Sequence, residues 1–92
     1  MKGSIAPETK KKAIHRLKIM EGAVRGLQKM VADEKYCVDI LTQTSAIQES
    51  LKGFDALMLE NHVRSHIVSM VKAGKVDKAV SELKTLYKYK VR

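Results

Sequence analysis

Residues 34 to 72 contain no proline and no cluster of turn-forming residues, and nothing else in the chain limits the fold as strongly. Strands seldom exceed about ten residues, so an unpunctuated run of this length reads as one long helix over about 34–72. Asp33 is a suitable N-cap for it, and Gly74 a suitable left-handed residue just past its end. Along the run Cys37, Ile40, Thr44, Ile47, Leu51, Phe54 and Met58 alternate by three and four, in the manner of a helix–helix seam. From Leu57 to Val71 apolar residues fall on more than one face, so that half needs cover from another element.

Two shorter helices flank the long one. The only proline, Pro7, stands where helices begin, with Glu8 placed to meet the positive end of the dipole. From there Ile14, Leu17, Met20, Val24, Leu27 and Val31 mark one face of an amphipathic helix over about 7–31. Gly22 and Gly26 cost about 1 kcal/mol each in its interior, which points to a close backbone contact. Val76, Val80, Leu83 and Tyr87 predict a third helix over about 76–88 that covers part of the long one, with residues 88 to 92 fraying. The expectation is one all-α domain over residues 1–92. A chain of this length buries only roughly 60 to 65 % of its unfolded surface, and with aromatics at 4 % and no Trp its core is thin, so self-association is expected.

Eighteen Lys and Arg against ten Asp and Glu leave a net charge of +8, which calls for a polyanionic partner. Nucleic acid is the first candidate. An anionic membrane is the rival, but no apolar run approaches the roughly 20 residues needed to span a bilayer. Met1 to Ala6 does not read as a signal peptide, so the expected compartment is the cytoplasm. The single cysteine cannot form an intramolecular disulfide; in a reducing compartment it is core filler, a nucleophile or a metal ligand.

His62 and His66 lie one helical turn apart on the same face, a common way for two imidazoles to share a metal. With Cys37 they make a thiolate and two imidazoles, a donor set for Cu(I) or Zn(II). Cys37 precedes His62 by about 37 Å of unbroken helix, so no site can form within one chain. An antiparallel copy of the long helix removes the obstacle if the twofold axis passes near Ser50 and Leu51, which is also the centre of the seam. Two equivalent sites per dimer follow, with the two Cys37 about 40 Å apart. Blander readings exist: a cysteine on an apolar stripe can be a small core residue, and a histidine pair can be a surface pair. A Cys-His nucleophilic enzyme is weaker, since no orienting third group, oxyanion loop or substrate cleft is in view.

His15-Arg16-Leu17, Glu21-Gly22, Val24-Arg25-Gly26, the run Tyr36-Cys37-Val38-Asp39-Ile40-Leu41, Gln43 and His62 together resemble the CsoR/RcnR family of metal-sensing repressors, over roughly residues 10 to 90. The resemblance implies a three-helix protomer, an antiparallel dimer forming a four-helix bundle, a dimer-of-dimers tetramer, and a metal bridging protomers at Cys37. Copper sensors of the family usually carry Cys-His-Cys, whereas this chain has His66 in place of the second cysteine. The nickel and cobalt branch matches His66 but uses a histidine near the N-terminus, where this chain has Ile5. The formaldehyde-sensing branch relies on an N-terminal proline absent at the matching position, and the sulfur-sensing branch needs two cysteines. Three ligands with one soft thiolate suit trigonal Cu(I); Zn(II) needs a fourth ligand, and Ni(II) or Co(II) favour a larger nitrogen and oxygen shell. Tyr36 and Glu82 match positions that in copper sensors link the ligating histidine to the last helix, orienting the ring and fixing its tautomer.

Lys10, Lys11, Lys12, Arg16, Lys18, Arg25 and Lys29 load the first helix with positive charge, and the resemblance implies that this face meets double-stranded operator DNA. His15 lies beside it as a packing or phosphate-contacting residue. No helix-turn-helix, zinc finger or basic zipper is recognisable. The expected function is a metal-responsive repressor that binds DNA metal-free and releases it when Cu(I), or Zn(II) or Ni(II), binds. A constitutive architectural DNA-binding protein and an intracellular metal buffer are the competing classes.

Overall fold

The computed structural model describes residues 4–90, with side chains as far as Lys88, and its helices follow from where the chain can close its backbone hydrogen bonds. The first helix, α1, spans Pro7–Ala32, with proline and Glu8 in its first turn and Lys29 in its last, each suited to the dipole there. Its free carbonyls are closed by a Schellman turn, in which Lys35 N–H donates to Met30 at 2.9 Å and Glu34 N–H to Val31 at 3.0 Å. The turn puts Glu34 at φ 53°, a left-handed conformation more often taken by glycine.

That closure uses the residues expected to open the next helix. Asp33 is the C-cap of α1 and not an N-cap, and α2 begins at Cys37, with Tyr36 at its N-cap making no side-chain cap bond. α2 (Cys37–His62) runs on through a π-helical turn (Val63–Ile67) into α3 (Val68–Lys72) as one rod. Gly74, at φ 78°, ends the rod in a second Schellman turn, Lys75 N–H donating to Met70 at 2.8 Å. The last helix, α4, is Val76–Lys90; it continues through residues 88–90, where fraying was expected, and residues 91 and 92 lie outside the described part. Counting the rod as one, three helices make up an all-α chain with no strand among the described residues.

α1 folds back antiparallel on α2. The face of α1 that packs is Ala13 and Met20, both buried, with Thr9, Leu27 and Met30 half-buried. Relative to the expected stripe this face is turned by about 40°, one four-residue step on the helix surface. Leu17, Val24 and Val31, expected to be central, stay exposed at 44, 43 and 58 % beside it. On α2, Ile40, Thr44, Ile47, Phe54 and Met58 are half-buried, whereas Cys37 and Leu51 of the same stripe are exposed. The expected close contacts at Gly22 and Gly26 are not made within the protomer: a Cβ on Gly22 would meet only the Arg25 side chain at 3.9 Å, and one on Gly26 nothing within 4 Å.

At the other end α4 packs on α3, and Ile67 and Ala79 are buried there. Ala13, Met20, Ile67 and Ala79 are the only buried apolar residues described, and no large side chain is fully buried. The protomer is an open, elongated shape of 57 × 29 × 18 Å. No described helix is long and apolar enough to cross a membrane.

Candidate metal centre

His62 and His66 stand at the join of α2 and the π turn, both half-buried. In an α-helix, side chains four apart are offset by about 40° around the axis. The π turn begins directly after His62 and contains His66. The imidazoles stack, with centroids 4.9 Å apart and planes 20° from parallel. Stacked rings send their lone pairs along nearly parallel lines, so converging them on one ion requires at least one ring to rotate.

His62 is held from outside the rod. Its Nε2 is hydrogen-bonded to Glu82 Oε1 of α4, in a pair about one third exposed on each side. A carboxylate accepts, so the ring proton belongs on Nε2 and the Nδ1 lone pair is left as the donor for a metal. Of the two residues that the resemblance linked to the ligating histidine, Glu82 touches His62 within the protomer, and Tyr36 is 72 % exposed at the far end of the rod, next to Cys37.

Cys37 is exposed at the first position of α2. The rod from Cys37 to His62 is continuous, so about 37 Å of helix separate the thiol from the first imidazole. Among the described residues no group of three or more His, Cys, Asp or Glu lies close enough to hold an ion. Two of the candidate donors sit at one end of the rod and the third at the other.

Two residues beside the histidines went unremarked in the sequence. Asn61 is buried at 8 % exposure; its Oδ1 accepts from Ala6 N–H at 3.1 Å and its Nδ2 donates to the Ser4 carbonyl at 2.9 Å. Ser65 Oγ lies 2.5 Å from the Asn61 carbonyl, 3.4 Å from the Ser4 carbonyl and 3.3 Å from His66 Nδ1. The one sequence signal for Asn61 was a poor helix former inside a long helix.

The basic residues of α1 fall mainly on the side away from α2. Lys11, Lys18 and Arg25 repeat every seven residues and lie about 200° around the helix from Ala13, Met20 and Leu27. Lys10, Lys12 and Lys29 are exposed too, and Glu8, Lys11, Lys12, Ile14, His15 and Lys18 line one shallow depression. Arg25 and Lys29 make exposed pairs with Glu21 at 3.5 Å and Asp33 at 3.8 Å, weak contacts that a phosphate can displace. Arg16 differs from the others: its guanidinium lies against α2, where a Cβ on Gly53 would come within 2.7 Å of Nη1.

A family model described as metal-sensitive transcriptional repressor matches residues 9–89. The chain belongs to this family. Among the relatives of this metal-sensitive repressor, the copper-sensing transcriptional repressor CsoR of Bacillus subtilis (strain 168) is 43 % identical over 74 residues, 80 % of this chain and 73 % of that protein. The CsoR of Mycobacterium ulcerans (strain Agy99) is 36 % identical over 76 residues, 83 % of this chain and 65 % of its own length. The repressor thus spans a little under two thirds of the mycobacterial protein. A crystal structure of the copper-sensing repressor CsoR with Cu(I), from Geobacillus thermodenitrificans NG80-2, superposes with a TM-score of 0.88 at 36 % identity, covering 100 % of this chain and 95 % of that one. The relatives are transcriptional repressors and not enzymes, and the helical architecture is shared with a copper sensor.

Proposed function

We propose that this metal-responsive repressor binds Cu(I) between two protomers, through Cys37 of one and His62 and His66 of the other, and that binding releases operator DNA. The observation that carries the reading is the split donor set on one straight rod: two imidazoles at one end, a thiol about 37 Å away, and no third donor beside the histidines among the described residues. An antiparallel copy of the rod, related by a twofold axis near Ser50 and Leu51, brings the halves together twice. The exposed apolar residues of the protomer support such a copy, since Leu51 on α2 and Leu17, Val24 and Val31 on α1 are what a four-helix bundle would bury. Val80, Leu83 and Tyr87 of α4 form a second uncovered stripe, suited to joining dimers into a tetramer.

One thiolate and two imidazoles suit trigonal Cu(I), and the copper-sensing relatives favour the same ion. When bound, the metal supplies a cross-link between protomers. The chain's own residues do the rest: Glu82 holds His62 with Nδ1 free, and any shift of His62 reaches α4 directly. Tyr36, exposed in the protomer beside Cys37, would arrive at the site together with the partner's thiol. The lysines of α1, with Arg16 and Arg25, serve as the phosphate-contacting face. DNA and metal favour different tetramer shapes, so each weakens the other's binding, by about 1 to 3 kcal/mol in a typical coupling. The chain acts as a single domain in the cytoplasm.

The test is an anaerobic Cu(I) titration of the protein bound to labelled upstream DNA at fixed salt, because phosphate-driven affinity is steeply salt-dependent. Loss of DNA at one Cu(I) per protomer is the expected result. Release by Zn(II) or Ni(II) but not Cu(I) would contradict the choice of metal, and indifference to every ion would leave a constitutive DNA-binding protein.

A further inference from the structure

We propose that Asn61 and Ser65 are positioning residues: Asn61 latches the Ser4–Ala6 segment onto the ligand turn, and Ser65 holds His66 with its proton on Nδ1, leaving Nε2 as its metal donor. The second half of this inference rests on the reading of His66 as a ligand.

Asn61 is the only buried polar side chain among the described residues, and both ends of its amide are used on the main chain of one short segment. Such a two-point contact fixes a backbone far better than a single bond, because donor and acceptor must both be in register. A buried amide bonded through both its oxygen and its nitrogen is costly to remove, since its loss leaves Ala6 N–H and the Ser4 carbonyl without those partners. The segment it holds is followed at once by Pro7 and the first lysines of α1.

Ser65 decides the tautomer of His66. A hydroxyl has one proton to give, and the Asn61 carbonyl at 2.5 Å takes it in preference to the Ser4 carbonyl at 3.4 Å. With its proton committed, Ser65 Oγ can only accept from His66, so the ring hydrogen lies on Nδ1, 3.3 Å away. The two histidines are then held in opposite senses: His62 presents Nδ1 and His66 presents Nε2. An ion drawing on the Nε2 lone pair makes Nδ1–H a stronger donor to Ser65, and polarised hydrogen bonds in series strengthen one another. The bond from Ser65 to the Asn61 carbonyl therefore tightens when His66 is engaged, which steadies the turn that carries the Asn61 latch.

The experiment is nitrogen-15 NMR of the full chain, first without metal. The wild-type protein should show His66 protonated on Nδ1 and an Ala6 amide protected from exchange by at least about tenfold. Asn61→Ala should abolish the Ala6 protection. Ser65→Ala should erase the tautomer preference, and Ser65→Thr, which keeps the hydroxyl, should restore it. Competition titration should then show Ser65→Ala weakening Cu(I) binding by about 10-fold, the usual effect of losing a ligand's orienting partner, with Thr again restoring it. A wild-type His66 protonated on Nε2, or an unprotected Ala6, would overturn the latch. A correct metal-free pattern with Cu(I) affinity untouched by His66→Ala would leave the latch standing and remove His66 from the metal site.

Discussion

Cys37 has a role only if a second chain meets it: exposed at the start of α2, it has neither the burial of a core residue nor a second ligand near it among the described residues. The expected behaviour of Cys37→Ala is unchanged helicity and DNA affinity with no response to Cu(I), read in the same gel-shift titration as the wild type. A Cys37→Ala protein that still lets go of DNA on adding Cu(I) would remove the thiol from the switch. The three ligand candidates were legible in the sequence because helical periodicity places side chains without knowledge of packing. Asn61 and Ser65 were not, because the Asn61 amide binds the main chain of Ala6 and Ser4, 55 and 57 residues away in sequence, and Ser65 binds the main chain of Asn61, and no pattern of residue types records a main-chain partner. Arg16 was grouped with the lysines on its charge and on the motif it lies in, and neither records that its guanidinium lies beside Gly53 of α2.

At the scale of elements, the long run without turn residues gave the rod and Gly74 gave its end, both from local chemistry. The start of α2 was misjudged because a Schellman closure of α1 competes for Asp33, Glu34 and Lys35, and the sequence favours neither claim outright. That closure leaves a test. Glu34 at φ 53° bears the cost of a side chain in the left-handed region, about 1 to 2 kcal/mol, and sits at the negative end of the α1 dipole. Glycine removes both costs but loses more entropy on folding, so Glu34→Gly should stabilise the protein by about 0.5 to 1 kcal/mol in urea unfolding. A destabilised variant would mean that the turn is held by something other than its backbone bonds. The π turn had no signature in the residue types, yet it is the element on which His66 sits, stacked on His62.

The whole molecule is legible only as a part. The four buried apolar side chains among the described residues make a core too thin for a chain with this much apolar sequence, and the residues left exposed lie in stripes, not singly. The 40° turn of the α1 face follows if, in the proposed dimer, the stripe serves two neighbours, α2 within the chain and a helix of a second copy, since periodicity reports only their sum. The account therefore stands on one claim, that each metal site takes its thiol from one protomer and its imidazoles from another. The direct test is complementation. A Cys37→Ala chain and a His62→Ala/His66→Ala chain, each unable to bind Cu(I) tightly alone, are co-expressed with different tags and the mixed dimer is purified. A shared site predicts that the mixed dimer recovers half of the wild-type Cu(I) stoichiometry, because one of its two sites then has an intact cysteine facing intact histidines. A mixed dimer that binds no more Cu(I) than its parents would contradict the shared site and the account built on it.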